Sequence, residues 1–382
     1  MRDALVNGRI LSQGRILDAH AVVIADGRIE DLVAESDVRL KELSTHDLKG
    51  ALLLPGFIDT QVNGGGGVLF NEDPSVETIR RIAAAHRKFG TTGFLPTLIS
   101  DDLAKVKRAI EAVASAVADG VPGVLGIHIE GPFLSPARKG VHDPAKFRTL
   151  DEEGLALLTS LKTAKTLVTL APEMTTPKMI ARLAGAGVIV AAGHTNANYD
   201  VMRVALAHGV TGFTHLFNAM SPLTGREPGV VGAALSDPTS YCGIIVDGCH
   251  VHPAVLELAL KCKPRDRFML VTDALANVGT GLTTFRLQGT TITIKDGVCM
   301  DENGTLAGSA MDMSRAVRNA MDFLGLDLHA AVAMASRAPA SFLGLAGRYG
   351  EIAAGLRANL VAADDSLNVK DTWIDGVRAT QA

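Results

Sequence analysis

Between Pro55 and Leu345 the sequence alternates short, apolar, β-prone runs with stretches that carry helical spacing. Eight such runs occur: GFIDTQV, TGFLPTLI, VLGIHIE, TLVTLAPE, VIVAAGHT, GFTHLFN, GIIVDG and FMLVTDA. Between them lie segments such as VETIRRIAAAHRKFG and AKVKRAIEAVASAVADG, whose apolar side chains recur on one helical face. A strand that is apolar on both faces is buried on both faces, and in alternation with helices this means a parallel sheet covered by helices. Eight units of this kind close into a (β/α)8 barrel of the TIM type, an α/β fold. A doubly wound open sheet is the alternative, but no GxGxxG follows the first run. After the eighth run, residues 285–300 (FRLQGTTITIKDGVCM) alternate with period two around Asp296-Gly297 and read as a hairpin.

The flanks have a different rhythm. Asn7-Gly8 and Asp26-Gly27 are two-residue turn signals, the second with AVVIA and RIEDLV as hairpin arms. The far end repeats the pattern in ANLVAAD and in WIDGVRAT, with Asp375-Gly376. The expected organisation is a small β-sandwich domain formed by residues 1–54 and 350–382, enclosing a barrel at 55–349. At 382 residues and 47% hydrophobic, the chain is long enough for both cores. A net charge of -4 without a basic block argues against nucleic acid as a partner. No apolar stretch approaches the roughly 18 residues of a membrane span. The start, MRDALVNGRI, lacks the basic and apolar blocks of a secretory signal. The four cysteines (Cys242, Cys249, Cys262, Cys299) have no CxxC spacing, so each is expected as a buried, reduced thiol of a cytoplasmic protein.

Barrel active sites form where the strands end. The ends of the runs carry Asp59, Gln61 and Asn63, then His128 and Glu130, Glu173, His194, His215, Asp247 with His250, and Asp273. A single buried histidine is usually a hydrogen-bonded core residue, and an isolated aspartate such as Asp273 is often a helix cap. A ring of such residues at one end of one barrel has a stronger reading. Two imidazoles and a carboxylate suit a catalytic zinc with a position open to water, and His194, His215 and Glu130 would supply them. A metal lowers the pKa of bound water from about 16 towards 7. Asp273 can accept a proton from that water and return it to a leaving group. Gln61 and Asn63 stand out, because alternation puts two neutral amides on one side of the first strand, where histidines or carboxylates are the usual metal ligands.

The ordered set PGFIDTQVNG, HIEGPF, KGVH, AAGHT, THLFNAM, VDGCH, VTDA and TLAGS, from residue 55 to 309, resembles the amidohydrolase superfamily and, within it, the N-acetylglucosamine-6-phosphate deacetylase family. The resemblance implies hydrolysis of the N-acetyl amide of N-acetylglucosamine 6-phosphate to acetate and glucosamine 6-phosphate by metal-bound hydroxide. It implies Asp273 as general base and acid, and His142 of KGVH polarising the acetyl carbonyl. Many amidohydrolases carry His-x-His on the first strand for a second metal. Members with Gln-x-Asn there use one, so one divalent metal per chain is expected, zinc by default, with iron, cobalt or manganese able to use the same donors. Gln61 and Asn63 would then fill the vacated pocket and hydrogen-bond their neighbours.

The same resemblance assigns the phosphate to Arg226 of TGREPG and His250. It also implies a homodimer in which Arg226 reaches the neighbouring site. Backbone groups of Asn218, Ala219 and Leu306, Ala307 and Gly308 would line the sugar pocket. Gly64 to Gly67 read as a tight loop or a close backbone approach rather than a phosphate cradle. His252 is an extra histidine expected to start the helix at Pro253. The rivals are an amidohydrolase acting on N-acetylgalactosamine 6-phosphate, one acting on another amide or a cyclic amide, and a non-catalytic protein on the same scaffold. The intact set of Glu130, His194, His215 and Asp273 speaks against the last.

Overall fold

The computed structural model describes residues 2–379, so the outermost limits of the expected small domain, residue 1 and residues 380–382, lie outside the described residues. All eight runs are strands of one sheet: Phe57–Val62, Thr91–Ile99, Gly126–Glu130, Lys165–Leu170, Ile189–Ala192, Val210–Phe213, Tyr241–Ile244 and Phe268–Leu270. Each pairs in parallel with its sequence neighbour. We number them one to eight in chain order. The ring closes at its C-terminal end, where Asp273 N–H donates to the Gln61 carbonyl at 3.0 Å and Asn63 N–H to the Ala274 carbonyl at 2.9 Å. Strand eight is short, Phe268–Leu270, and Asp273 lies on the irregular stretch that extends it.

The helices between strands follow the apolar spacing. In Val76–Arg87, Ser75 Oγ accepts from Thr78 N–H as a cap, and Ile79, Ile82 and His86 form the buried face. The barrel core includes fully buried Phe57, Phe94, Phe213 and Phe268. Each such side chain contributes about 1.5–3 kcal/mol by leaving water.

Both termini build one second sheet of eight strands. Its hinge is Leu52–Pro55, which pairs with Arg2–Ser12 on one side and with Leu360–Ala363 on the other. Gly56 then leads directly into strand one, so the small sheet and the barrel share a continuous stretch of chain. Asn7-Gly8 differs from expectation. It is a bulge inside the strand Arg2–Ser12, with Asn7 at φ 56° and a register shift at Gly8. The chain turns instead at Gln13-Gly14, both with positive φ. Asp26-Gly27 and Asp375-Gly376 do form turns.

The hairpin expected after strand eight extends to a four-stranded antiparallel sheet, Thr284–Leu287, Thr290–Lys295, Val298–Met300 and Leu306–Ser309. Gly66 and Gly67, at φ 62° and 82°, make the turn of a two-residue-arm hairpin, Gly64–Gly65 with Val68–Leu69. His252 caps the helix Pro253–Cys262. Two of the four cysteines depart from expectation: Cys242 and Cys299 are buried, but Cys249 and Cys262 are exposed. Cys262 ends a surface helix and Cys249 sits on the loop after strand seven. Among the described residues no helix is long and apolar enough to cross a membrane.

Candidate active site

Glu130 is the last residue of strand three, and alternation places it on the same inward side as His128. His128 is the lower of the two. Its Nδ1 lies 3.2 Å from Thr97 Oγ1 and its Nε2 2.7 Å from Thr169 Oγ1. Burial pushes the His128 imidazole down to about 4, so it is a neutral floor and not part of the cluster above it. His194 and His215 stand two residues beyond strands five and six, in the left-handed region at φ 49° and 32°. That conformation costs energy for a residue with a Cβ and is held here by the surrounding turns.

Glu130 Oε1 lies 2.9 Å from His215 Nε2 and 3.2 Å from His194 Nε2, and the two Nε2 atoms are 3.1 Å apart. His194 Nδ1 is 2.8 Å from the Arg138 carbonyl, which can only accept. The proton of neutral His194 is therefore on Nδ1, and Nε2 presents a lone pair to the cluster. Burial raises the Glu130 carboxyl, but the His194 and His215 imidazoles set against Oε1 outweigh it and hold the group well below the usual carboxylate range. An ionised carboxylate and an imidazole lone pair converging on one point with a second imidazole fit a divalent cation. Among the described residues this is the one group of three such ligand atoms lying within 4.8 Å of one another.

Asp273 follows strand eight. Its Oδ1 accepts from Gln61 Nε2 at 3.1 Å and from Asn63 Nδ2 at 2.6 Å. Gln61 Nε2 also lies 3.1 Å from Glu130 Oε2. The amides of Gln61 and Asn63 thus hydrogen-bond the carboxylates beside them. Burial, then the charge of Glu130, pushes Asp273 up to about 6. Gly308 packs beneath it, since a Cβ there would come within 2.6 Å of the Asp273 carbonyl oxygen. His142 is fixed differently. Ser100 N–H donates to its Nδ1 at 3.3 Å, with Ser100 Oγ at 2.8 Å. A backbone N–H only donates, so His142 carries its own proton on Nε2. Burial, then His194, holds it neutral, well below the usual histidine range.

These groups open onto a cavity of about 250 Å³ lined also by Asn218, Ala219, His250, Leu306 and Gly308. Not every expected residue joins them. Arg226 is exposed on its loop and does not line the cavity. Ala307 turns into the core beneath the four-stranded sheet, because alternation sends it opposite to Leu306 and Gly308. Glu173 bonds Thr195 Oγ1 and Asn196 N–H, and Asp59 bonds Thr272, so both brace loops or strands. Ser100 is the residue that the sequence reading overlooks. It directly follows the second run, and a polar residue at a strand end is the same signal that marks the others.

The profile of the Amidohydrolase family matches residues 52–379, and that of the NagA composite domain matches residues 4–53. The chain belongs to the amidohydrolase family. This amidohydrolase is 43% identical to an N-acetylgalactosamine-6-phosphate deacetylase of a Shewanella species, over 98% of this chain and 95% of that one. It is 38% identical to the N-acetylglucosamine-6-phosphate deacetylase of Haemophilus influenzae, over 98% and 99%. The crystal structure of the N-acetylglucosamine-6-phosphate deacetylase from Pasteurella multocida covers both chains fully, with a TM-score of 0.96 and 38% identity.

Proposed function

We propose that this amidohydrolase hydrolyses the N-acetyl amide of N-acetylglucosamine 6-phosphate to glucosamine 6-phosphate and acetate. The observation that carries the reading is the convergence of Glu130, His194 and His215 beside Asp273 at the floor of one cavity. The full-length relatives named for this chemistry support it. A divalent cation held by Glu130, His194 and His215, one per chain and zinc by preference, supplies Lewis acidity and lowers the pKa of water; iron, cobalt and manganese suit the same donors.

The chain's own groups do the rest. His142 donates its Nε2–H to the acetyl carbonyl oxygen as negative charge develops there. Asp273, with Oδ1 occupied by two amides, takes the proton of the attacking water on Oδ2 and delivers it to the sugar nitrogen as the C–N bond breaks. Asn218 and Ala219, with Leu306 and Gly308, border the sugar. His250 and Arg226 of the partner subunit receive the phosphate, which makes the working unit a homodimer. Leu223, 56% exposed on the same loop as Arg226, supports that surface as an interface. We assign residues 1–54 and 350–382 to the small domain and 55–349 to the catalytic barrel. We place the enzyme in the cytoplasm, where its unpaired cysteines suit a reducing compartment.

N-acetylgalactosamine 6-phosphate is the second reading, favoured by the 43% identity to the Shewanella protein. Acetate release from both sugar phosphates and from unphosphorylated N-acetylglucosamine, with enzyme of known metal content, tests the assignment. Turnover of neither phosphate by metal-loaded enzyme would overturn it.

A further inference from the structure

His250 reaches the cavity from the loop after strand seven, and Asp247 lies behind it. Their side chains are only 7% and 6% exposed. Asp247 Oδ1 accepts the backbone N–H groups of Cys249 at 2.8 Å and His250 at 2.9 Å. Its Oδ2 lies 2.6 Å from His250 Nδ1. Burial raises the Asp247 carboxyl, but hydrogen bonds, that of the His250 side chain foremost, bring it down to about 2. An ionised carboxylate only accepts, so His250 Nδ1 carries a proton and Nε2 is the nitrogen left for a ligand. The geometry is that of an aspartate fixing the tautomer of a working histidine and stabilising its imidazolium.

The cavity's charge makes this pair consequential. No lysine or arginine among the described residues lines it. His194 and His215 belong to the metal cluster, and His142 is neutral with its one proton on Nε2. His250 is therefore the residue of this chain, outside the metal cluster, placed to present positive charge to an anionic group in the cavity. We propose that Asp247 is a positioning residue for substrate phosphate: it fixes His250 Nδ1–H and stabilises the imidazolium whose Nε2–H meets the phosphate, so that discrimination for the phosphorylated sugar depends on the pair. The inference rests on the deacetylase reading above.

The test compares kcat/KM for N-acetylglucosamine 6-phosphate with that for N-acetylglucosamine in wild type, Asp247→Asn, His250→Gln and the double variant. Asp247→Asn is expected to lower this ratio about ten- to hundredfold, as loss of a hydrogen bond to a charged group does, chiefly through KM for the phosphorylated sugar. In the His250→Gln background the same change is expected to leave the ratio where His250→Gln put it, since the partner is gone. An unchanged ratio, or an equal fall in both backgrounds, overturns the proposal and assigns Asp247 to loop structure alone. A wild type that turns over neither sugar removes the deacetylase reading itself and this inference with it. Should Asp247→Asn fail to fold, nitrogen NMR of histidine-labelled wild type, with His250→Gln for assignment, carries the test. The proposal expects His250 Nδ1 protonated in free enzyme and both ring nitrogens protonated with glucosamine 6-phosphate bound; an Nε2–H tautomer in free enzyme overturns it.

Discussion

Two amide N–H groups end on one oxygen of Asp273, and this gives the neutral pair Gln61 and Asn63 a chemical purpose. A carboxylate with one oxygen fully engaged cannot rotate freely, and its other oxygen is left for the water. Asp273→Asn keeps the shape and removes the base, so kcat is expected to fall by about 10²–10⁴-fold while metal content stays at the wild-type level. Acetate release with metal analysis on the same sample checks both. The pH profile has a sign that follows from Asp273 being raised to about 6. The base works only when ionised, so kcat/KM falls as pH drops through its pKa, and a bound cation moves that limb below 6. Asn63→Asp places a second carboxylate beside Asp273 in place of a donor. Like charge disfavours ionisation, so the acid limb of kcat/KM is expected to move to higher pH. A limb that stays put or moves down would show that the Asn63 contact does not tune the base.

Among the elements, strand one and strand eight are joined below the site by Asp59. Its Oδ2 accepts from Thr272 Oγ1 at 2.5 Å and its Oδ1 from Gln61 N–H at 3.2 Å. Burial pushes this carboxyl from 3.8 up to about 7. A carboxyl whose folded value is raised contributes stability that is full below the unfolded value and is lost as pH rises through the folded one. Wild type is therefore expected to lose stability relative to Asp59→Asn, which carries no titrating group there, between pH about 4 and about 7. Melting temperatures of the two proteins across that range read the difference, and a constant gap would contradict the buried acid. Asp59 also marks the limit of sequence reading. Its place on the first run was legible, as were all eight strands, because a strand buried on both faces has to be apolar throughout. That Asp59 braces the barrel while Gln61, two residues on, reaches Asp273 depends on how the ring closes between strands one and eight, a contact between residues over 200 apart. The bulge at Asn7-Gly8 was hidden for a related reason: the same dipeptide serves a turn or a bulge, and the partner strand decides.

At the scale of the whole molecule, the cavity of one chain is lined by Glu130, His194, His215, Asp273 and His250, but not by Arg226. Arg226 is exposed on its loop. Tyr199 N–H bonds Glu227 Oε1, so this loop is docked on the helix Tyr199–Ala207 and presents Arg226 from a defined base. The same helix leaves Val201 and Val204 38% and 45% exposed, and the loop leaves Leu223 exposed, which is apolar surface of the kind a second copy would cover. If Arg226 serves the site of a second copy, two inactive variants must repair each other. A chain carrying Arg226→Ala keeps its own Asp273, and a chain carrying Asp273→Asn still offers its arginine. In a hybrid dimer the site with Asp273 then receives the partner's intact arginine, while the other site lacks both. Equal mixing with free exchange makes half the dimers hybrids, each with one repaired site in two, so activity is expected to return to about a quarter of wild type. Dimers carrying two different tags, purified as hybrids, would reach about half. Steady-state acetate release on the mixture and on the purified hybrid measures this. No gain over the separate variants would place Arg226 outside the neighbouring site, and the phosphate would then rest on His250 and its own chain.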